Sequence, residues 1–303
     1  MNNSRFHLMF KLTTKHYFVA FICVQLLLFV GCTKKEERIV PGNIAPPDYT
    51  IPNSLKINFI NKLYIGLLGK EPEATELNAA KTLLNAANFS KASRTTLIET
   101  VLSNSLFYDR EYELMRSDLL NSTDTIEVND FIETFEFLLS SPDYEAQWPA
   151  IQAELNKLIL LKNVPENLKN GIISIKEMQE IGCNNFFFDQ INMGSLNFVI
   201  ATFQHLLLRN PTAFESEEGV KLTDGFSGTL FLNTGNSKTD YFSIFFNSSD
   251  YCEGQVKLLF TRFLFRLPTS EEAVYFTNLY KAEFNYKNLI KEILGTDEYA
   301  TNN

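Results

Sequence analysis

Three stretches of the chain repeat one pattern of residues that ends a helix and begins the next, and this repeat constrains the fold more than any other feature. In each stretch an apolar run with helical spacing ends at a basic residue, a proline follows two positions later, and an acidic residue follows four positions after the proline. The pattern predicts a helix-turn-helix corner at each place. The three sets are Lys70, Pro72 and Glu76; Arg209, Pro211 and Glu215; and Arg266, Pro268 and Glu272.

Each residue type in a corner has a structural reason to be there. A proline keeps the residue before it out of the α region, which ends the first helix. A threonine, Thr212 or Thr269, stands three positions before the acidic residue of the second and third corners, which is the spacing of a capping box. We expect the basic residue in the last turn of the first helix, close to the exposed carbonyls. Because turn chemistry explains the whole pattern, we interpret these residues as structural rather than as a shared ligand site.

A second recurring element, a small polar run that ends in an aromatic residue, follows each corner. It occupies 102–107, 246–251 and 294–299, and a fourth copy at 139–144 has no clear corner before it. A corner with its second element spans roughly 50 residues, and a helical pair this short cannot bury its apolar face alone. The sequence therefore predicts an all-α fold of about three stacked helix-turn-helix units.

The predicted organisation of the body has three parts and one insertion. We expect the first helical repeat region at 55–145, a helical connector with an aromatic concentration at 146–197, and the second and third repeats at 198–303. Residues 224–240 are rich in Gly, Ser, Thr and Asn and form the longest loop-like insertion. Loops held by a rigid scaffold often carry binding sites, so this loop is the first candidate for a functional surface.

Residues 1–31 have the features of a signal peptide. They carry three basic residues and no acidic one, and their apolar run from Tyr17 to Val30 is shorter than the roughly 20 residues that cross a bilayer. The run ends at Gly31 and Cys32 and resembles a bacterial lipobox. That resemblance implies cleavage before Cys32 and lipidation of Cys32. An uncleaved N-terminal anchor is the alternative.

Residues 32–54 contain four prolines and few large apolar side chains, so we expect an extended tether. The tether opens with Cys-Thr-Lys-Lys-Glu-Glu, which resembles the export signal of Bacteroidota surface lipoproteins. The resemblance implies an outer membrane lipoprotein of the cell envelope, exposed at the cell surface and attached to the membrane through its N-terminal lipid.

The corner and its second element together resemble the uncharacterised helical domains of planctomycete-type cytochrome-associated proteins. The resemblance covers Phe59 to about Leu120 and, more loosely, residue 255 to the end. Those domains have no settled activity, so the resemblance implies a helical fold and nothing about chemistry. The haem-attachment spacing C-x-x-C-H of some relatives is absent from this sequence, and we predict no cofactor.

The charge balance argues against one class of partner. The chain has 27 basic and 36 acidic residues and a formal net charge of −9, whereas binding to a nucleic-acid backbone requires a basic face. An acidic body is also repelled by anionic headgroups, so membrane attachment would depend on acyl chains. We therefore expect the membrane and an unidentified protein or glycan as partners, and no nucleic acid.

Motifs that would identify an enzyme are mostly missing. Beyond residue 31 the only histidine is His205, inside an apolar helical run, which we interpret as a core or helix-end histidine rather than a catalytic base. The sequence has no H-E-x-x-H, C-x-x-C, Walker loop or G-x-G-x-x-G, so we predict no metal site and no nucleotide site.

Two function classes stay open. The first is a lipid-anchored, non-enzymatic helical interaction or scaffold module, which should expose a broad apolar patch. The second is an envelope hydrolase, similar to a glycosidase, that uses a pair of acidic residues in a cleft.

The two cysteines of the body leave another alternative open. Cys183 and Cys252 are an even pair in an oxidising compartment, so they could form a disulfide that closes a loop worth roughly 4 kcal/mol. Two buried free thiols are the other reading, because spacing cannot decide connectivity.

Overall fold

The computed structural model describes residues 51–301, and helices account for most of them. The predicted all-α class is confirmed. The first four helices are α1 (Asn53–Leu68), α2 (Ala74–Ala86), α3 (Lys91–Leu102) and α4 (Leu106–Leu119). The central elements are α5 (Thr125–Ser140), a 3-10 helix (Pro142–Gln147), α6 (Trp148–Lys162), α7 (Val164–Lys169), α8 (Ile175–Cys183) and α9 (Phe186–Ile191). The last elements are α10 (Ser195–Leu207), α11 (Ala213–Thr223), β1 (Gly228–Leu230), β2 (Asn233–Gly235), α12 (Lys238–Phe246), α13 (Ser249–Leu264), α14 (Ser270–Glu283), α15 (Tyr286–Leu294) and α16 (Asp297–Thr301).

All three corners have the same backbone course. The first helix ends in a residue with left-handed conformation, at φ 72° for Gly69, 51° for Leu208 and 56° for Phe265. The basic residue comes next, and the proline precedes the N-cap residue of the second helix. A left-handed residue after the last helical turn is a common way to end a helix, and glycine usually fills that position because it has no Cβ. Leucine and phenylalanine are unusual there, so the second and third corners are strained.

A capping box begins the second helix at every corner. The carboxylates of Glu76, Glu215 and Glu272 each accept a hydrogen bond from the backbone N–H of the N-cap residue, at 2.8, 2.8 and 2.7 Å. In the second and third corners the N-cap threonine accepts a hydrogen bond from the glutamate N–H in return. Glu73 takes the place of threonine in the first corner.

The basic residues do not lie where the sequence was expected to put them. They follow the left-handed residue and so stand outside the last helical turn, because that residue turns the chain away from the helix axis. Each basic side chain instead pairs with the glutamate of its own corner. The shortest N–O distances are 3.8 Å for Lys70–Glu76, 2.6 Å for Arg209–Glu215 and 2.7 Å for Arg266–Glu272.

The second recurring element joins two of the corners through another acidic residue. Arg209 also binds Asp250 at 2.8 Å, and Arg266 binds both carboxylate oxygens of Glu298, with Nε to Oε1 at 2.7 Å. Both acids stand immediately before the aromatic residue of the element. The aromatic side chains of the three units, Phe107, Tyr251 and Tyr299, are at most 2% exposed, whereas Tyr144 of the isolated fourth copy is 42% exposed.

Helix packing repeats in the same way. The first helix of a unit packs against the second helix and against the helix that contains the aromatic residue of the element: α1 against α2 and α4, α10 against α11 and α13, and α13 against α14 and α16. The helix α13 therefore serves as the last helix of the second unit and the first of the third. The first and third units also meet directly, since α1 packs against α16 and α3 against α15.

The connector carries the predicted aromatic concentration into the core. The helices α5 and α6 pack along each other, and α9 packs against α6. Rings of Phe131 and Phe135 from α5 contact Phe186 of α9, with the Phe131 and Phe186 centroids 4.7 Å apart. Phe188 is fully buried and contacts Phe198 at the start of the second unit. These contacts attach the connector to the repeats.

The segment 224–240 is not the irregular loop that its composition predicts. It contains a two-stranded antiparallel hairpin in which Thr229 pairs with Thr234, and its last residues begin α12. Glu218 of α11 fixes the hairpin because its carboxylate accepts a hydrogen bond from the Thr229 N–H at 2.6 Å. The insertion is therefore an ordered part of the second unit.

The signal peptide, Cys32 and most of the tether lie outside the described residues. The first described helix begins at Asn53, two residues before the predicted start of the body at Leu55. Among residues 51–301, no helix combines the length and the apolar character needed to cross a bilayer.

The corner glutamates predict a pH dependence of stability. Hydrogen bonds from Arg209 and Arg266 lower the pKa of Glu215 and of Glu272 to about 2, against the opposing effect of partial burial. A free glutamate titrates near pH 4.3, so these carboxylates stabilise the fold above about pH 4.3, and this stabilisation is lost as the pH falls through about 2. The double variant Glu215→Gln/Glu272→Gln should lose about 1 to 2 kcal/mol of unfolding free energy at pH 7, and less at pH 3, by urea denaturation.

The matched control is Glu113→Gln/Glu253→Gln, which removes two glutamates from exposed ion pairs within single helices. That variant should change stability by only a few tenths of a kcal/mol. An equal loss in both double variants, or a loss that stays constant from pH 7 to pH 3, would contradict the assignment.

Candidate functional site

The site that best fits a small ligand is a cavity of about 300 Å³ where the three repeats and the connector meet. Its walls come from α4, α8, α10, α13 and α15. The volume is at the lower end of the usual range for ligand pockets. The apolar wall is formed by Leu114, Met115, Leu119, Met178, Leu206, Leu208, Leu258 and Leu259, and the polar groups are Glu111, Asp118, Gln179, His205, Thr261, Arg262 and Tyr286. We call this cavity the interhelical pocket.

A close helix contact forms one wall of the interhelical pocket. A Cβ built on Gly182 of α8 would lie 2.6 Å from the sulfur of Met115 and 2.9 Å from a methyl group of Leu119. Any larger residue at 182 would force the side chains of Met115 and Leu119 to move. The glycine therefore leaves room for two side chains of α4, Met115 and Leu119, that form part of the apolar wall.

An ion pair lies on the inner side of the pocket. Arg262 of α13 donates to Glu111 Oε1 of α4 at 2.7 Å and to the carbonyl oxygen of Gly66 in α1 at 2.6 Å. The Glu111 side chain is only 5% exposed. Burial alone would lower the pKa of Arg262, but the charge of Glu111 outweighs it and the pKa is raised. The Arg262 guanidinium is thus held in its charged form, and this ion pair connects the first unit to the third.

Asp118 and His205 lie at the mouth of the pocket, where both residues are exposed on one side. Partial burial raises the pKa of Asp118, while His205 in its protonated form, Arg262 and Arg110 oppose the shift. Burial lowers the pKa of His205, against the opposing charge of Asp118. The imidazole is therefore neutral at pH 7. His205 stands in the last turn of α10, as expected of a helix-end histidine.

The pocket does bring two carboxylates to one face of a helix. Glu111 and Asp118 are seven residues apart on α4, which is about two turns. However, Glu111 is bound by Arg262, so only Asp118 is free to meet a ligand. A glycosidase needs both members of its carboxylate pair for chemistry at the sugar.

The hairpin predicted as a functional surface has a second unusual feature at its tip. The two residues between the strands, Phe231 and Leu232, have φ of 48° and 65°, where tight hairpins usually place Asn and Gly. The Phe231 ring packs against Phe203 and Phe245. Leu232 has no such cover and is 98% exposed.

Other exposed apolar side chains flank the base of the hairpin. Phe226 stands before β1, and Met193 and Leu196 stand at the start of α10; these three are 66%, 76% and 52% exposed. The two segments are joined by a hydrogen bond between the Ser195 hydroxyl and the Asp224 carboxylate. We call Met193, Leu196, Phe226 and Leu232 the hairpin surface.

The corner residues that we interpret as structural form an ion-pair network in each unit. In each corner the basic residue and the glutamate pair with each other, and the proline precedes the cap of the next helix. None of the nine residues lines the interhelical pocket.

The structure has Cys183 and Cys252 as free, buried thiols, so it does not contain the disulfide considered above. Cys183 ends α8 and Cys252 lies in the first turn of α13. Burial raises the pKa of the Cys252 thiol to about 11 and also raises that of Cys183. Both residues are fully buried and behave as small apolar side chains.

Sequence reasoning did not find the polar residues of the interhelical pocket other than His205. Glu111 and Arg262 are 151 positions apart, so no local pattern connects them. The seven-residue spacing of Glu111 and Asp118 is visible in the sequence but also fits an exposed helix face. Within residues 51–301, no cluster of three or more His, Cys, Asp or Glu side chains could hold a metal ion. Comparisons with protein-family models, with curated proteins and with solved structures found no match.

Proposed function

We propose that this protein is a lipid-anchored, non-enzymatic interaction module of the cell envelope, and that the hairpin surface contacts its partner. The observation that carries the proposal is the full exposure of Leu232 at the tip of an ordered hairpin. An isolated exposed leucine is ordinary, but Phe226 on the same insertion, and Met193 and Leu196 on the segment bonded to the base of the hairpin, are exposed as well. Apolar side chains grouped on a surface are typical of a binding face.

Backbone strain at the hairpin tip supports the same assignment. Phe231 and Leu232 both have left-handed backbone conformations that cost bulky residues about 1 kcal/mol or more each. At Phe231, contacts of the ring with Phe203 and Phe245 offset this backbone strain. Leu232 gains no comparable burial from any of residues 51–301. A partner that covers Leu232 would supply that burial.

The chemistry of the hairpin surface favours an apolar protein surface as the partner over a glycan. Three of its four side chains are aliphatic or thioether, whereas sugars are usually met by aromatic rings and hydrogen-bonding groups. The net charge of −9 gives no support to nucleic-acid binding.

An envelope hydrolase is the second candidate, and the interhelical pocket is the observation that favours it. The pocket holds Glu111 and Asp118, and the pKa of Asp118 is raised. We place this function second because Arg262 engages Glu111 at 2.7 Å and leaves one carboxylate instead of two.

The proposed anchor predicts a change in localisation. Cys32 would carry the acyl chains, and an acidic body has no electrostatic attraction to anionic lipid. The variant Cys32→Ser should therefore move from the membrane fraction to the soluble fraction when cells are fractionated. Cys23→Ser, in the predicted signal peptide, is the matched control and should stay with the membrane. Retention of Cys32→Ser in the membrane would contradict the anchor.

Site-specific photo-crosslinking tests the hairpin surface. A photoreactive phenylalanine at position 232 should give a crosslinked species of higher mass in intact cells, because Leu232 would be covered by the partner. The same group at Lys91, exposed at the start of α3, is the control and should give little product. The second substitution Phe226→Asp should reduce the crosslink from position 232. Equal crosslinking from positions 232 and 91 would contradict the proposal.

A further inference from the structure

The interhelical pocket has a charge arrangement that the proposed interaction through the hairpin does not use. Its one arginine, Arg262, is already satisfied by Glu111 and by the Gly66 carbonyl oxygen. Because the Arg262 guanidinium and the Glu111 carboxylate already bind each other, neither favours the binding of an added anion or cation. The inner side of the pocket is therefore electrically compensated.

The negative charge at the mouth of the pocket is not compensated. Asp118 makes no salt bridge to any residue of the described part of the chain. Of the cationic groups near it, Arg110 is paired with Glu113 at 3.2 Å and Arg262 with Glu111. The third group, His205, is neutral at pH 7 because burial lowers its pKa. One carboxylate thus remains without a direct partner beside a largely apolar cavity.

The cavity behind Asp118 suits a short apolar chain. About 300 Å³ corresponds to roughly ten groups of the size of a water molecule. The wall is formed by leucines from α4, α10 and α13 together with Met115 and Met178, whose flexible thioethers adapt to different shapes. Gln179 is already committed, since it accepts from the Tyr251 hydroxyl and donates to Gln255.

We propose that the interhelical pocket binds a small organic cation with an apolar chain, such as an alkylammonium ion. The ammonium group lies at the mouth against the Asp118 carboxylate, and the alkyl chain lies between α4 and α13 against Met115 and Leu258. A carboxylate ligand of the same length is excluded because Asp118 would repel it. An alcohol of the same length gains the apolar contacts and lacks the ion pair.

Calorimetric titration of the full chain with three matched probes tests this assignment. Hexylammonium should bind about tenfold or more tightly than 1-hexanol at pH 7, and hexanoate should bind least. The variant Asp118→Asn should remove the advantage of hexylammonium and leave 1-hexanol unchanged. Leu258→Trp should block both by filling the cavity.

Asp130→Asn is the charge-matched control, because Asp130 is exposed on α5 and does not line the pocket. It should leave hexylammonium binding unchanged. Equal weakening by Asp118→Asn and Asp130→Asn would show a general charge effect and would overturn the proposal. So would equal binding of the three probes. Circular dichroism of each variant separates loss of binding from loss of fold, and crosslinking from position 232 stays independent of the result.

Discussion

One glutamate carboxylate at each corner makes two interactions, and the rest of the structure depends on it. The glutamate at the third position of the second helix caps that helix and also binds the basic residue that leaves the first. The proline and the left-handed residue set the path of the chain between the two helices. At Arg209 and Arg266 a further acid, Asp250 or Glu298, joins the network from the far end of the unit. The residues of a local turn thereby also fix a contact between segments that are distant in the sequence.

The repeated packing explains where the two candidate functional surfaces arise. The helix α13 belongs to the second and third units, and α1 of the first unit packs against α16 of the third, so the third unit adjoins both of the others. The interhelical pocket opens where α10, α13 and α15 meet α4 and α8. Phe226 and Leu232 of the hairpin surface lie in the insertion of the second unit, between α11 and α12, and Met193 and Leu196 lie at the start of α10.

The sequence predicts the parts of this structure that depend on near neighbours. The prolines, the Thr-x-x-Glu spacing at Thr212 and Thr269, and the buried aromatic residues all follow local rules and all appear in the structure. The predicted position of the basic residues in the last helical turn was wrong because leucine and phenylalanine, at 208 and 265, give no sequence signal of a left-handed conformation. For the same reason the Phe231-Leu232 turn was missed. The Arg262–Glu111 pair depends on helices distant in sequence, so no local rule could predict it.

A double-mutant cycle on Arg266 and Glu298 tests the central claim most directly, because it measures whether the corner and the aromatic element act as one unit. The two residues are 32 positions apart and are joined by two hydrogen bonds, at 2.7 and 2.5 Å. The free energies of unfolding of Arg266→Met, Glu298→Gln and the double variant should give a coupling of about 1 kcal/mol or more. Additive effects, with a coupling below about 0.3 kcal/mol, would contradict the claim that this ion pair closes the repeat.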